Sequence, residues 1–586
     1  MAALDGRVAT GLLRLRFAGH HRRISVVNAH PRPYYYLENF NVALDWLRDR
    51  YGELLAAEEQ RFMTNFARLP LPAAALVVRM IMRQGDLFRT SKLNYSEIGP
   101  PEEAASALIE LGWLNPRPAV GFPDLCRLLR KSELWTLMGL RGAARTVRKA
   151  ELIEFAGELA EARRPLDEWW PEAPDAIYQV MIAPLCDRLR LMFFGNFRQT
   201  WSEFVLADLG IFRYEKVSLE PLARAFQTRA QIERFHAIYH CREMLHAEVA
   251  LEEVLAAVPK PLSDTACTDP GDSWIEAKRA KLLFHIGQLC ERAQELPRAL
   301  DMYAASKHAE ARMRAIRVFE KLEQFTAAAA LLAEVQRAPA SEFEVQLAAR
   351  LRPRLDRKLG VATPASSSNI GPRGRTWADM TLELPYPDPP TRVELAVSSH
   401  LSTPLAPVIY VENTLLNTLF GLLCWDAIFA PLPGAFFHAF HTGPADLLEP
   451  DFHRRRATLF STRLAELETG AYRQTILDRF EEKSGIQSPF VAWGAVTREE
   501  LELALDCIPA AHLQKCFERL LTDLRSNRSG LPDLIQLWRE ERRYRLIEVK
   551  GPGDRLQDNQ VRWLNFCRAH AIPVCVCKVT WQGKPS

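Results

Sequence analysis

The sequence predicts a multidomain protein, mostly α-helical through its first two-thirds and α/β at its C-terminal end. Three observations carry that prediction. Apolar residues recur at helical spacing from about Tyr34 to Leu114 and again from about Leu166 to Leu351. The stretch from Thr363 to Pro372, rich in Ser, Pro and Gly, then breaks the pattern. Beyond it, the run from Asp533 to Val579 reads as strand, turn, strand, helix, strand, with ionisable residues set into apolar segments.

Composition bounds the answer before any motif does. A chain of 586 residues has room for about three or four domains. Hydrophobic content of 48% with 25% charged residues is that of a folded soluble protein. The formal net charge is only +3, so a nucleic-acid ligand has to meet local basic patches. The 11 cysteines include no Cys-x-x-Cys pair, which argues for reduced thiols and against a disulfide or zinc framework. Cys575 and Cys577 alternate along a strand, where packing is their expected role. A cytoplasmic location is expected, nucleoid-associated in a bacterium and nuclear in a eukaryote. Arg7, Arg14 and Arg16 read as a basic arm, without an apolar core of signal-peptide length. Nothing approaches the ~18 uninterrupted apolar residues of a membrane span, so no membrane partner is expected.

In chain order, residues 1–115 form a helical N-terminal domain, with Leu37, Phe40, Ala43, Leu44 and Leu47 on one helix face and a second run from Leu69 to Met82. Residues 116–162 have another character: two short helices about a turn containing Gly and Arg, similar to a SAP DNA-binding module. Arg141, Arg145, Arg148 and Lys149 place four positive charges in nine residues with no acid among them. They suit phosphate contacts, and a solvated basic loop is the plainer alternative. Residues 163–362 read as helix after helix, with the small–large spacing of a degenerate tetratricopeptide-like array around Ala299 to Tyr303 and Phe325 to Leu332. Such an array offers a long concave face. Lys278, Arg279, Lys281, Arg312, Arg314 and Arg317 are its candidate DNA contacts, with an ordinary solvated face as the alternative. A linker at 363–376 precedes the C-terminal domain at 377–586.

That domain carries the chemistry. Gly530-Leu-Pro-Asp533 enters one apolar run, and Leu546-Ile-Glu548-Val-Lys550 belongs to the next. Successive strand residues face opposite ways, so Glu548 and Lys550 share a face, and Asp533 lies beside Glu548 if the two strands pair as a hairpin. Two carboxylates and an ammonium at one sheet edge suit a hard divalent cation with a charged orienting group beside it. Glu-x-Lys alone is a weak signal. Glu276-x-Lys278 and Glu481-x-Lys483 show the same spacing in charged, helix-like sequence and read as salt-bridging faces. The 548/550 pair differs because Leu546, Ile547 and Val549 surround it, where an unpaired carboxylate is costly. A plain cross-strand ion pair is the alternative for Glu548 and Lys550.

These residues resemble the VRR-NUC branch of the restriction-endonuclease-like PD-(D/E)xK superfamily. A wider match points further. Tyr410-Val-Glu412-Asn413 followed by Leu419-Phe-Gly-Leu-Leu-Cys-Trp425-Asp-Ala-Ile-Phe429 is similar to the metal-binding helix of the Fanconi-associated nuclease family. Pro444-Ala-Asp446-Leu447, Phe452 and Arg454-Arg455-Arg456 also match, and the chain is identified as a bacterial member. Two positions depart from the pattern: Asn413 stands where animal members carry glycine, and His441 where glutamine is expected.

The resemblance implies a 5′ flap endonuclease with 5′-to-3′ exonuclease activity on branched DNA, acting in interstrand crosslink repair. It implies Glu412, Asp533 and Glu548, with the Val549 carbonyl, as ligands for two Mg²⁺ or Mn²⁺ ions, all-oxygen donors disfavouring zinc. Lys550 would orient the attacking water, and Gln560 would touch the scissile phosphate unless it is an ordinary helix-surface glutamine. Two other readings stay open: a non-catalytic DNA-repair scaffold, and a Holliday-junction or RNA nuclease on the same fold. Cleavage of end-labelled flap, duplex, single-stranded and four-way substrates with Mg²⁺, Mn²⁺ or EDTA separates them.

Overall fold

The computed structural model describes residues 33–139, 162–201, 213–262, 270–361 and 378–582 except 84, 197, 200, 219, 221, 222 and 388, together with the backbone of two short strands, Leu13–Phe17 and His20–Ile24. The basic cluster Arg141, Arg145, Arg148 and Lys149 and the Ser-rich linker both lie outside the described residues. The chain divides into two compact units, Met1–Ile211 and Phe212–Ser586.

In the first unit the helices Tyr35–Tyr51, Ala57–Phe66, Leu71–Ile81 and Pro101–Glu110 account for the expected periodicity. Leu37, Phe40, Ala43, Leu44 and Leu47 are all buried, as their spacing requires. One expectation is corrected. The run from Leu166 is not continuous helix, because Ile177–Val180 is a strand between Leu87–Arg89 and Leu114–Asn115. Ile177, Tyr178 and Val180 are β-branched or aromatic and buried, and that packing outweighs the helical reading of the segment.

The second unit begins with helices Arg229–His246, Leu251–Ala257, Pro270–Arg292, Leu296–Ala305, Ala311–Lys321, Phe325–Arg337 and Glu342–Lys358. From Pro270 onward each packs on the next, burying Met313, Ile316, Ala328, Leu332, Val335 and Leu351 between the last of them. The final helix of this array is tied to the domain that follows. Glu342 accepts from both terminal nitrogens of Arg519, Arg350 grips Asp558 at 2.5 and 2.6 Å, and Gln346 accepts from Arg562 at 2.6 Å.

The C-terminal domain is a five-stranded mixed sheet with helices around it. The sheet and the helices that frame the site are β1 (Ala378–Pro385), α1 (Val393–Leu401), β2 (Val408–Tyr410), α2 (Leu415–Leu423), β3 (Leu534–Trp538), β4 (Arg543–Lys550), α3 (Asp558–Ala569) and β5 (Val574–Gln582), with further helices between Leu423 and Leu534. The strand order is β1-β5-β4-β3-β2. β3 and β4 form the expected antiparallel hairpin, β5 returns parallel to β4 through α3, and β2 pairs antiparallel with β3. Alternation along the central strands gives the sheet two apolar faces. Leu534, Ile547 and Val549 join one core, while Ile535, Leu537 and Leu546 join the other with α2. A sheet covered on both faces leaves its edges and strand ends for chemistry.

Candidate functional site

The hairpin register pairs Leu534 with Ile547, so Asp533, the residue before β3, comes level with Glu548. Its Oδ2 accepts the Val549 amide at 2.8 Å, and its carbonyl accepts the Val411 amide at 2.8 Å. Asp533 therefore ties the end of β4 to the segment that follows β2. Gly530 makes the approach possible. It has φ +83°, and a Cβ there would stand 2.8 Å from the backbone of Asn559, at the start of α3.

Glu548 is fully buried and Asp533 6% exposed, among the least solvated carboxylates of the described residues. Lys550 Nζ lies 2.8 Å from Glu548 Oε1 as an ion pair, and Glu548 Oε2 has no hydrogen-bond partner. Burial, reinforced by the charge of Asp533, pushes the Glu548 carboxyl up to about 8. Burial likewise raises Asp533 to about 6, opposed by the Val549 amide and increased by Glu412. These are the signs of an anionic site short of positive charge.

Glu412 lies between β2 and α2, a turn ahead of the helix that was expected to carry it. Its charge is felt by both Asp533 and Glu548. The Tyr410 hydroxyl donates to one of its oxygens, and Asn413 Nδ2 lies 3.3 Å from the other. Among the described residues no three His, Cys, Asp or Glu side chains are already gathered at metal-ligand spacing. The donor set nevertheless suits a hard cation. It is all oxygen, it is anionic, and the buried Glu548 carboxylate, with only Lys550 beside it, is costly to bury without one.

The remaining candidates separate. Gln560 Oε1 accepts the Gln557 amide at 2.8 Å, so this oxygen caps the helix α3. In the array, Arg279 is buried and donates to the Pro259 carbonyl, Arg312 pairs with the buried Glu344 at 2.6 Å, and Arg314 faces Glu291 at 3.4 Å. Lys278 reaches Glu449 at 3.1 Å, whereas Lys281 and Arg317 are exposed. The other Glu-x-Lys pairs bridge distant segments: Glu276 with Arg234, Glu481 with Arg498, and Lys483 with Glu215 at 3.0 Å.

Sequence reasoning missed Glu394, in the first turn of α1, whose charge helps raise both Asp533 and Tyr410. Nothing near it in sequence marks it, because only the fold brings it to the site.

The matched motif residues have visible packing roles. Gly421 in Leu-Phe-Gly-Leu-Leu lies against Phe490, where a Cβ would come within 2.6 Å of that residue's own Cβ. Asp446 accepts from Arg455 and Arg456, and Arg456 stacks 4.1 Å over Phe452. Both departures are accommodated. Asn413 has φ 52°, a left-handed conformation that glycine and asparagine adopt most readily. His441 Nε2 accepts the Phe437 amide at 3.2 Å, as a glutamine oxygen could.

Comparison with known proteins extends the picture along the chain. The VRR-NUC domain matches residues 467–581, the FAN1 HTH domain 34–115, and the Fanconi anemia-associated nuclease SAP domain 124–169. A Fanconi-associated nuclease 1 homolog of Pseudomonas aeruginosa is 48% identical over 94% of this chain and 97% of its own. One from Oryza sativa subsp. japonica is 22% identical over 94% of this chain and 63% of its own. A crystal structure of paFAN1 bound to 5′ flap DNA with a two-nucleotide flap and a gap superposes with a TM-score of 0.85 at 47% identity, covering 95% of this chain and 100% of that one. With Asp533 level with Glu548 in the hairpin and this similarity along nearly its whole length, the chain belongs to the Fanconi-associated nuclease family.

Proposed function

We propose that this protein is a divalent-metal-dependent nuclease that incises 5′ flaps and degrades DNA in the 5′-to-3′ direction during crosslink repair. The observation that carries the reading is the convergence of Asp533, Glu548 and Lys550 at the end of one buried hairpin, where the Lys550 ammonium at 2.8 Å faces only one of the two buried Glu548 oxygens. The paFAN1 structures with 5′ flap DNA support the substrate class.

Asp533, Glu548, Glu412 and the Val549 carbonyl would hold Mg²⁺ or Mn²⁺, with Glu394 as a further acidic neighbour. Such ions lower the pKa of bound water and stabilise charge on the leaving oxygen. The protein's own groups do the rest. Asp533, fixed by the Val549 amide, sets the position of the ligand group, and the fold around Glu548 excludes bulk water from it. Lys550, whose side chain is 14% exposed, presents a cation to the water or to the phosphate as negative charge develops there. Arg141, Arg145, Arg148, Lys149, Lys281 and Arg317 would track the DNA backbone, and Gln560 keeps its amide nitrogen for a phosphate while its oxygen caps α3.

The test is a set of single alanine substitutions at Asp533, Glu548, Lys550 and Glu412, assayed on an end-labelled 5′ flap with Mg²⁺ or Mn²⁺. Each should lose roughly 10²-fold or more in cleavage while DNA binding persists, because the groups act as a unit. If Glu412→Ala cuts at the wild-type rate while Asp533→Ala is dead, Glu412 is no part of the site.

A further inference from the structure

Asn413 has more contacts than a residue chosen for its backbone conformation would need. At φ 52° glycine would serve without strain. The side chain instead joins two parts of the site. Its Oδ1 accepts the Leu531 amide at 3.3 Å, inside the Gly530–Asp533 turn, and its Nδ2 lies 3.3 Å from Glu412 Oε1. A backbone N–H can only donate, so the amide oxygen must face Leu531 and the amide nitrogen must face Glu412. The loop is clipped a second time by the buried Asn417. Its Nδ2 donates to the Asn413 carbonyl at 2.8 Å and to the Arg528 carbonyl at 2.9 Å, just ahead of the same turn. On the other side of Glu412, the Tyr410 hydroxyl donates to Oε2.

We propose that Asn413 is a positioning residue for metal binding: its amide ties Glu412 to the turn that carries Asp533, setting the spacing of the two carboxylates. The inference rests on the reading of these carboxylates as metal ligands. Each carboxylate oxygen keeps a lone pair after accepting one hydrogen bond, so the tether leaves Glu412 able to bind a cation while restricting its rotamers. Groups that hydrogen-bond a metal ligand are typically worth 10- to 100-fold in metal affinity. Asn413 would supply that effect from within the chain, at the cost of the freedom a glycine would keep.

The test uses the full chain and Asn413→Gly, which the backbone conformation accepts. Calorimetric titration with Mn²⁺ alone should show affinity about 10-fold weaker than wild type. The Mn²⁺ concentration for half-maximal flap cleavage should rise by the same factor. In EDTA, DNA affinity should stay at its wild-type value, the melting temperature should fall only slightly with the lost Leu531 hydrogen bond, and exchange of the Leu531 amide should accelerate. In a Glu412→Gln background, Asn413→Gly should cause no further loss of Mn²⁺ affinity. Unchanged Mn²⁺ affinity in Asn413→Gly, or an equal loss in the Glu412→Gln background, overturns the inference and leaves the metal-site reading standing. A wild-type protein that binds no Mn²⁺ overturns both.

Discussion

Replacing Asp533 by asparagine should make the metal-free protein more stable and the enzyme inactive. The side chain is 6% exposed, and burial together with Glu412 raises its carboxyl from 3.8 to about 6. At pH 7 it is ionised in both folded and unfolded chains, so the whole difference appears as a cost of folding. About two pKa units at 1.4 kcal/mol each gives at most about 3 kcal/mol. Asparagine keeps an oxygen that can accept the Val549 amide, which Asp533 holds at 2.8 Å, so the hydrogen bond survives and the charge goes. Relief of that cost corresponds to a rise of up to roughly 10 °C in the melting temperature, and less where the whole unit Phe212–Ser586 melts together. The assay is scanning calorimetry in EDTA and again in millimolar Mn²⁺. Wild type should melt lower than Asp533→Asn in EDTA and gain stability with Mn²⁺, whereas the variant should gain little, since a ligand stabilises only the state that binds it. A variant less stable than wild type in EDTA would refute the reasoning, because Asp533 would then be a structural anchor and not a strained charge.

Other expectations follow from different parts of the molecule. Neutralising Arg141, Arg145, Arg148 and Lys149 together should reduce the slope of log DNA affinity against log salt by about one unit per lost phosphate contact, leaving Mn²⁺ binding intact; an unchanged slope assigns the cluster to solvent. His441 is lowered by burial from 6.5 to about 4, so between these values the unfolded chain takes up a proton that the folded chain refuses. Stability should therefore fall as pH drops from 6.5 towards 4, by at most about 3 kcal/mol from this group. His441→Gln, which keeps an acceptor for Phe437, should flatten that part of the profile in urea titrations, and an identical profile would exclude the histidine. Gly421→Ala should cost about 1–3 kcal/mol by forcing Phe490 aside, read as a lower urea midpoint; an unchanged midpoint would mean that the helix shifts freely.

The sequence made the hairpin legible because the period of a strand is two. With Glu548 and Lys550 on one face, one turn of plausible length was enough to bring Asp533 level with Glu548, and the observed register does so. The helices of the first unit were legible for the same kind of reason, since Leu37, Phe40, Leu44 and Leu47 define a single buried face. Glu394 and the tether at Asn413 were not legible. Each depends on which loops a sheet edge brings together, and β2 joins the sheet beside β3 across more than a hundred intervening residues. The surroundings of the array arginines were not legible either. As sequence they are free positive charge, but Arg279 meets the carbonyl of Pro259 and Arg312 the buried carboxylate of Glu344, both supplied from distant parts of the chain. Charge can be counted from composition, whereas its availability depends on tertiary partners.

That distinction bears on how DNA held by the array would act on the candidate metal site. The last array helix, Glu342–Lys358, contacts the C-terminal domain on helix α3 and its support: Arg350 on Asp558, Gln346 on Arg562, and Glu342 on Arg519. Arg519 in turn lies 4.8 Å over the ring of Trp563, which is almost fully buried in α3. α3 begins just after the Glu548-x-Lys550 strand, and its first turn is the surface against which Gly530 must fit. A force on the array is therefore delivered to the element that frames the Asp533 turn. The Arg350–Asp558 pair is half exposed and worth about 1 kcal/mol or less as a surface ion pair. Its consequence is geometric: loss of this clamp would loosen α3 against the array without removing any metal ligand. Arg350→Ala should thus lower the cleavage rate at saturating DNA and Mn²⁺ while leaving Mn²⁺ affinity at its wild-type value. A shift in Mn²⁺ affinity with an unchanged saturated rate would show that the clamp acts on the ligands themselves, and that α3 is not the element through which the array and the site are joined.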